Sequence, residues 1–207
     1  MPLVSCNSVS FSYNGKNILN NLSFEVKRSD FCGIIGKNGS GKSTLLQGIL
    51  GLKKVSDGKI EVDSDAKKHG FGYLAQNYPH RKYFPATVLE VVMSGLLSKK
   101  GVFSFFNSKD KNYALEKMSS LGIEHLQNRK FGELSGGEAQ KTLLVRALCV
   151  SEKYLFLDEP SSGLDEKSQE ELNNIIAGLH KNGATIIMVS HNIEYIKTNA
   201  NNIVKLK

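Results

Sequence analysis

Two stretches of this 207-residue sequence carry chemistry in their spacing. The first, Gly36-Lys37-Asn38-Gly39-Ser40-Gly41-Lys42-Ser43, fits the pattern G-x-x-x-x-G-K-[ST] in full. Its glycines let the backbone curl so that successive N–H groups point inward, and a helix starting near Lys42 adds its positive end. Such a concavity suits the phosphates of a nucleotide. Lys42 is placed to reach the β- and γ-phosphates and Ser43 to offer its hydroxyl to Mg²⁺, with Asn38, Gly39, Ser40, Gly41 and Thr44 as further lining. Without its strand and helix, the stretch would read only as a flexible glycine-rich loop. The second stretch is Tyr154-Leu155-Phe156-Leu157 followed by Asp158-Glu159. Two acids at the carboxyl end of a buried strand stand where parallel sheets put their ligands. Asp158 is the candidate for holding Mg²⁺ and Glu159 for polarising an attacking water. Taken alone, the pair would be a solvated turn; beside the phosphate loop it reads as catalytic.

The elements that must position these groups follow from periodicity. Val4 to Tyr13 and Leu19 to Val26 alternate as a hairpin around Asn14-Gly15. Phe31 to Ile35 is a short apolar run entering the phosphate loop, and Lys42 to Leu50 has helical spacing. Further strands are expected at Ile60 to Val62, Phe71 to Leu74, Tyr154 to Asp158, Thr185 to Ser190 and Ile203 to Leu206. Helices are expected at Thr87 to Leu97, Lys109 to Leu121, Gly136 to Val150 and Asp165 to His180, with a short one before Ile203. Thr87-x-x-Glu90 and Ser135-x-x-Glu138 both have capping-box spacing. The alternation predicts an α/β protein with a mostly parallel sheet and helices on both faces. No internal repeat or Pro/Gly/Ser-rich linker divides it, so residues 1–207 read as one domain.

Composition excludes several classes. Apolar and charged contents are average for a globular chain, and no apolar run approaches the roughly 18 residues of a membrane span. The start, Met1-Pro2-Leu3-Val4-Ser5, lacks a charged-then-apolar signal segment, so the protein is expected to stay in the cytoplasm. Cys6, Cys32 and Cys149 show no Cys-x-x-Cys spacing and read as idle thiols. A net charge of +7 invites a nucleic-acid or membrane-surface reading. However, Lys53-Lys54, Lys67-Lys68 and Lys99-Lys100 are isolated pairs without interleaved aromatics, and the expectation is solvated surface charge with no nucleic-acid partner.

Leu134-Ser135-Gly136-Gly137-Glu138, upstream of the acidic strand and downstream of the phosphate loop, resembles the signature sequence of the ABC (ATP-binding cassette) ATPases. By spacing alone it is a capping box; the resemblance adds that Ser135, Gly136, Gly137 and Glu138 contact the γ-phosphate of ATP held by an opposite subunit. The likeness covers essentially the whole chain and implies a P-loop NTPase core, an N-terminal antiparallel β subdomain and a helical insert near residues 77–150. It also implies roles for single residues. Tyr13 resembles the aromatic that stacks on adenine, although its alternation would equally suit a hairpin core residue. Gln76 resembles the glutamine that contacts Mg²⁺ and water, His191 the histidine that bonds the γ-phosphate, and Asp165 part of the loop that crosses to the other subunit. Alone these would be a surface amide, a loop histidine and a helix N-cap. Glu138 stands where the family more often has Gln, and Lys141 where it usually has Arg, which removes the forked guanidinium.

The resemblance implies an ATPase that uses ATP and Mg²⁺. It would act as a head-to-tail homodimer on the cytoplasmic face of the cell membrane, beneath integral membrane permease subunits. Gln76-Asn77-Tyr78-Pro79 and Phe84-Pro85-x-Thr87-Val88 are similar to the ATPases of zinc, manganese or iron importers, which would add an extracytoplasmic metal-binding protein to the system. Other substrates, a soluble ABC ATPase such as an iron–sulfur assembly factor, and a small-molecule P-loop kinase are the competing readings. The kinase leaves the signature and His191 unexplained.

Overall fold

A computed structural model of the chain describes residues 1–13, 15–76, 83–100 and 105–206. The apolar runs without alternation become central strands, because a strand covered on both faces has no polar side to present. β3 (Phe31–Ile35), β6 (Tyr154–Asp158) and β7 (Thr185–Val189) are buried at every position. With β5 (Gly72–Leu74) and β8 (Asn202–Lys205) they form a parallel sheet in the order β5-β6-β7-β3-β8.

The period of two along these strands sorts their side chains between two cores. Phe31, Leu155, Leu157, Ile186 and Met188 join a cluster with α6 (Gly136–Val150), α7 (Glu166–Lys181) and α8 (Ile193–Asn199). The same cluster takes in Val88, Val91 and Val92 of α3 (Val88–Met93), and Ala114 and Met118 of α5 (Ser108–Ser120). Cys32, Ile34, Phe156, Ile187 and Val189 face the other way, toward Leu45 and Leu46 of α1 (Lys42–Ile49) and Ala66 of α2 (Ser64–His69). Phe11 and Val9 of a second, antiparallel sheet complete that face. This sheet holds β2 (Lys16–Val26), β1 (Val4–Tyr13) and β4 (Asp57–Val62), in that order.

Several boundaries differ from expectation. β2 starts at Lys16, because Ser12 pairs with Asn17 and Tyr13 with Lys16 in a register that needs no apolar side chain. Of the expected turn, Asn14 lies outside the described residues. The helix expected from Thr87 to Leu97 divides into α3, a 3₁₀ turn at Ser94–Leu96 and α4 (Leu97–Lys100). The reason is contact with α6: a Cβ on Gly95 would lie 2.3 Å from the Arg146 carbonyl oxygen, and Arg146 Nε donates to Ser94 Oγ at 2.9 Å. α2 carries no apolar period, since Ala66 is its one buried residue. The three cysteines are buried and form no disulfide, and burial pushes the thiols of Cys6 and Cys32 up to about 12. Among the described residues no helix is long and apolar enough to cross a membrane.

Candidate functional site

The loop from β3 to α1 needs glycine for its conformation. Gly39 and Gly41 have φ of 79° and 89°, in the left-handed region that a Cβ disfavours. Gly41 is the N-cap of α1 and supplies no side chain to its first-turn N–H groups, so the helix start is built to receive an anion. Lys42 is only 6 % exposed. Its Nζ donates to the carbonyls of Gly36 at 3.0 Å and Lys37 at 2.9 Å, which holds the ammonium over the loop. Ser43 Oγ donates to Asp158 Oδ1 at 3.0 Å, joining the two sequence stretches in space.

Asp158 ends β6 and is buried, and desolvation raises its carboxyl above the ordinary value. The Ser43 hydrogen bond opposes that shift; the neighbouring Glu159 charge adds to it and Lys42 opposes it. Glu159 follows with φ 50°, a left-handed conformation that costs a residue other than glycine about 1–2 kcal/mol. Its N–H donates to the Val189 carbonyl at 3.0 Å, which anchors it to the end of β7. Its carboxylate meets two groups from neighbouring strand ends. Oε1 lies 2.5 Å from His191 Nε2, and Oε2 accepts from Gln76 Nε2 at 2.7 Å.

The ends of β3, β5, β6 and β7 therefore converge on one cleft of about 650 Å³. Asn38, Gly39, Gly41, Lys42, Ser43, Thr44, Gln76, Glu159 and His191 line it, together with Ile18 and Ser162. Ser40 instead lines an adjoining cavity of about 370 Å³, and its Oγ is buried with no hydrogen-bond partner among the described residues. Ile18 escaped the sequence reading because it belongs to the polar start of β2. It packs over Gly41, where a Cβ would meet its Cγ2 at 2.9 Å.

Not every candidate gathers at this cleft. Ser135 caps α6 in a complete capping box with Glu138, which lowers the Glu138 carboxyl below its ordinary range. Glu138 also pairs with Arg129 at 3.3 Å. Gly136 borders a neighbouring cleft of about 300 Å³ between Gln76, Gln140 and the Ser162–Leu164 turn, and Gly137 lies against Ser168. None of Ser135, Gly136, Gly137 and Glu138 lines the cleft of the phosphate loop, although the two clefts share Gln76 and Ser162. Asp165 is the N-cap of α7, accepting from the Ser168 N–H at 2.9 Å. Lys141, which stands where the resemblance would more often have arginine, pairs with Glu171 at 2.7 Å. Tyr13 stands at the end of β1 and is 63 % exposed, whereas Phe11 is 1 % exposed, so the core role belongs to Phe11. Of the segments similar to metal-importer ATPases, Asn77, Tyr78 and Pro79 lie outside the described residues. Tyr83 and Phe84 are exposed, at 79 % and 51 %.

The sequence profile of the family described as "ABC transporter" matches residues 19–162. The "Zinc uptake system ATP-binding protein ZurA" of Listeria monocytogenes is 38% identical over 99% of this chain and 82% of its own length. A solved structure of a metal-chelate type ABC transporter in an inward-facing conformation superposes with a TM-score of 0.89 at 30% identity, covering 100% of this chain and 80% of that one. A dimeric structure of a bacterial ABC transporter cassette matches with a TM-score of 0.80 at 26% identity, over 99% and 94% of the two chains.

Proposed function

Since the chain belongs to the ABC transporter family, we propose that it binds and hydrolyses ATP to drive a membrane transporter that takes up a metal cation. The observation that carries this reading is the convergence of Lys42, Ser43, Glu159, Gln76 and His191 on one cleft at the strand ends, with the buried Asp158 accepting a hydrogen bond from Ser43. A phosphate cradle without an acid could only bind. A buried acid pair beside it supplies what phosphoryl transfer to water needs, namely positioning and charge stabilisation.

The α1 N-terminus and Lys42 hold the β- and γ-phosphates. The hydroxyl of Ser43, the carboxylate of Asp158 and the amide oxygen of Gln76 are hard oxygen donors that suit Mg²⁺, and Ser43 and Asp158 already lie within hydrogen-bond distance of each other. Mg²⁺ bound there would offset charge on the transferring phosphoryl group. Glu159 accepts a hydrogen bond from the attacking water, His191 donates toward the γ-phosphate, and Tyr13 offers its exposed ring to adenine.

The signature residues do not line this cleft, and on this reading Ser135, Gly136, Gly137 and Glu138 act on the nucleotide of a second copy, with Asp165 lying at the crossing between the copies. Two such chains close head to tail over two ATP molecules, and closure drives the permease subunits. The helical insert near residues 77–150 of the single domain is the docking element, at the cytoplasmic face of the membrane. The metal cargo rests on the likeness to the zinc-uptake relative and to the metal-chelate type transporter, and an extracytoplasmic metal-binding protein completes such a system.

The test is a tagged Glu159→Gln variant. It is expected to lose hydrolysis by about 10²–10⁴-fold, to keep ATP binding and to form an ATP-dependent dimer; an active monomer sinks the mechanism. Pull-down of this variant from gently solubilised native membranes with ATP should recover a polytopic permease of the metal-uptake type. A permease of another type removes the metal, and soluble partners alone remove the transporter.

A further inference from the structure

Lys53, expected with Lys54 as solvated surface charge, lies outside the cleft lining and is not fully solvated. Its Nζ lies over the Tyr13 ring, 5.8 Å from the centroid, within the range of a cation–π contact. Lys53 is half-buried although lysine is ordinarily exposed, and among the described residues no carboxylate pairs with it. The Tyr13 ring is thus the partner its ammonium shows among the described residues.

The loop that carries Lys53 is tied down at both ends. At the α1 end, Gly51 at φ 72° donates to the Gly48 carbonyl at 3.0 Å and Leu52 to the Gln47 carbonyl at 2.9 Å, a Schellman closure that fixes the exit from the helix. At the other end, Ser56 bonds the Ser10 carbonyl through both its N–H and its Oγ, each at 2.9 Å. Ser12 Oγ, beside Tyr13, lies 3.3 Å from Ser56 Oγ and donates to Asn17 Oδ1 at 2.7 Å. The loop thus bridges the helix that begins with Lys42 and the hairpin end that presents Tyr13.

We propose that Lys53 is a positioning residue for the nucleotide base. It holds one face of the Tyr13 ring at a set offset from the phosphate loop and leaves the other face to receive adenine. The proposal rests on the reading of Tyr13 as the base platform. A ring held in place by the protein loses less freedom when the base arrives, so the effect falls on affinity.

The test compares Lys53→Met, which keeps the apolar stem, with Lys53→Arg, which keeps the cation. Calorimetric Kd values are taken for ATP and for inorganic triphosphate, with steady-state kcat and KM for ATP. Lys53→Met is expected to raise Kd and KM for ATP about two- to fivefold, with kcat and triphosphate affinity held. Lys53→Arg should restore the ATP values, and in a Tyr13→Ala background Lys53→Met should add nothing. Unchanged ATP affinity in Lys53→Met overturns the proposal. So does an equal loss for triphosphate, which would assign Lys53 to the phosphates. If Tyr13→Ala itself leaves ATP affinity intact, the base platform falls and the proposal with it; if Tyr13→Ala weakens ATP and Lys53→Met does not, only the proposal falls.

Discussion

Asp158 shows at the scale of one residue how a reactive group is kept at a cost in stability. It is 2 % exposed and stands beside a second carboxylate, and burial raises its carboxyl above the ordinary 3.8. A carboxyl raised in the fold binds its proton more tightly there than in the unfolded chain. Its contribution to stability is thus most favourable at acid pH and declines as pH rises from 3.8 toward the raised value. At neutral pH the ionised group destabilises the fold, and Asp158→Asn is expected to be more stable. A gain on the order of 1 kcal/mol corresponds to about 2–4 °C in Tm for a chain of this size. The same variant should lose Mg²⁺-dependent hydrolysis. Melting curves at pH 7 and pH 4 check the sign: the advantage over the parent should shrink at the lower pH. An unchanged or lowered Tm at pH 7 would show that Ser43 and Lys42 already offset the buried charge.

At the scale of the element, α1 matters because its first residues are Lys42 and Ser43, so whatever seats the helix seats the site. The seat is Gly48. A Cβ there would lie 2.2 Å from Cζ of Phe11, a ring 1 % exposed between α1 and the antiparallel sheet. Gly48→Val is expected to cost about 1–3 kcal/mol by overpacking. It should lower Tm by several degrees and weaken ATP binding as α1 shifts, although residue 48 is no part of the cleft lining; a melt paired with ATP titration reads both. An unchanged Tm would mean that Phe11 moves aside freely. The start of α6 shows a second use of an element. Ser135 and Glu138 complete a capping box, and the same serine and glycines are the segment assigned to a neighbouring chain's nucleotide. Capping shapes the helix end that an anion then meets, so the structural and functional readings of these residues reinforce each other.

At the scale of the whole molecule, a phosphate cleft whose lining holds none of the signature residues predicts composite sites. Lys42→Ala removes the phosphate contact from one half of a site, and Ser135→Arg blocks the other half. A homodimer of either variant has two defective sites and should be inactive. In a mixed dimer both defects fall in the same site, which leaves the second intact. Mixing equal amounts is therefore expected to restore about one-quarter of wild-type activity, since random pairing makes about half the dimers mixed and each has one working site of two. Activity that stays at background in the mixture would make each cleft self-sufficient and remove the head-to-tail arrangement.

The sequence by itself determined the local chemistry and the local elements. Contiguous residues set the phosphate loop, where glycine at 39 and 41 is required by positive φ, and the Asp158-Glu159 pair at a strand end. The unalternating runs of β3, β6 and β7 announced strands covered on both faces, and the two capping boxes were legible because caps act over three residues. What only the tertiary structure decided depends on contacts between distant segments. The order β5-β6-β7-β3-β8 brings Gln76, Glu159 and His191 within hydrogen-bond reach, although more than 80 residues separate the first two. The break after α3 comes from the close approach of Gly95 to α6, and α2 has caps but no apolar period. The exposure of Tyr13 and the contact that Lys53 makes with it follow from a loop pinned between a helix and a hairpin, an arrangement that no local pattern encodes.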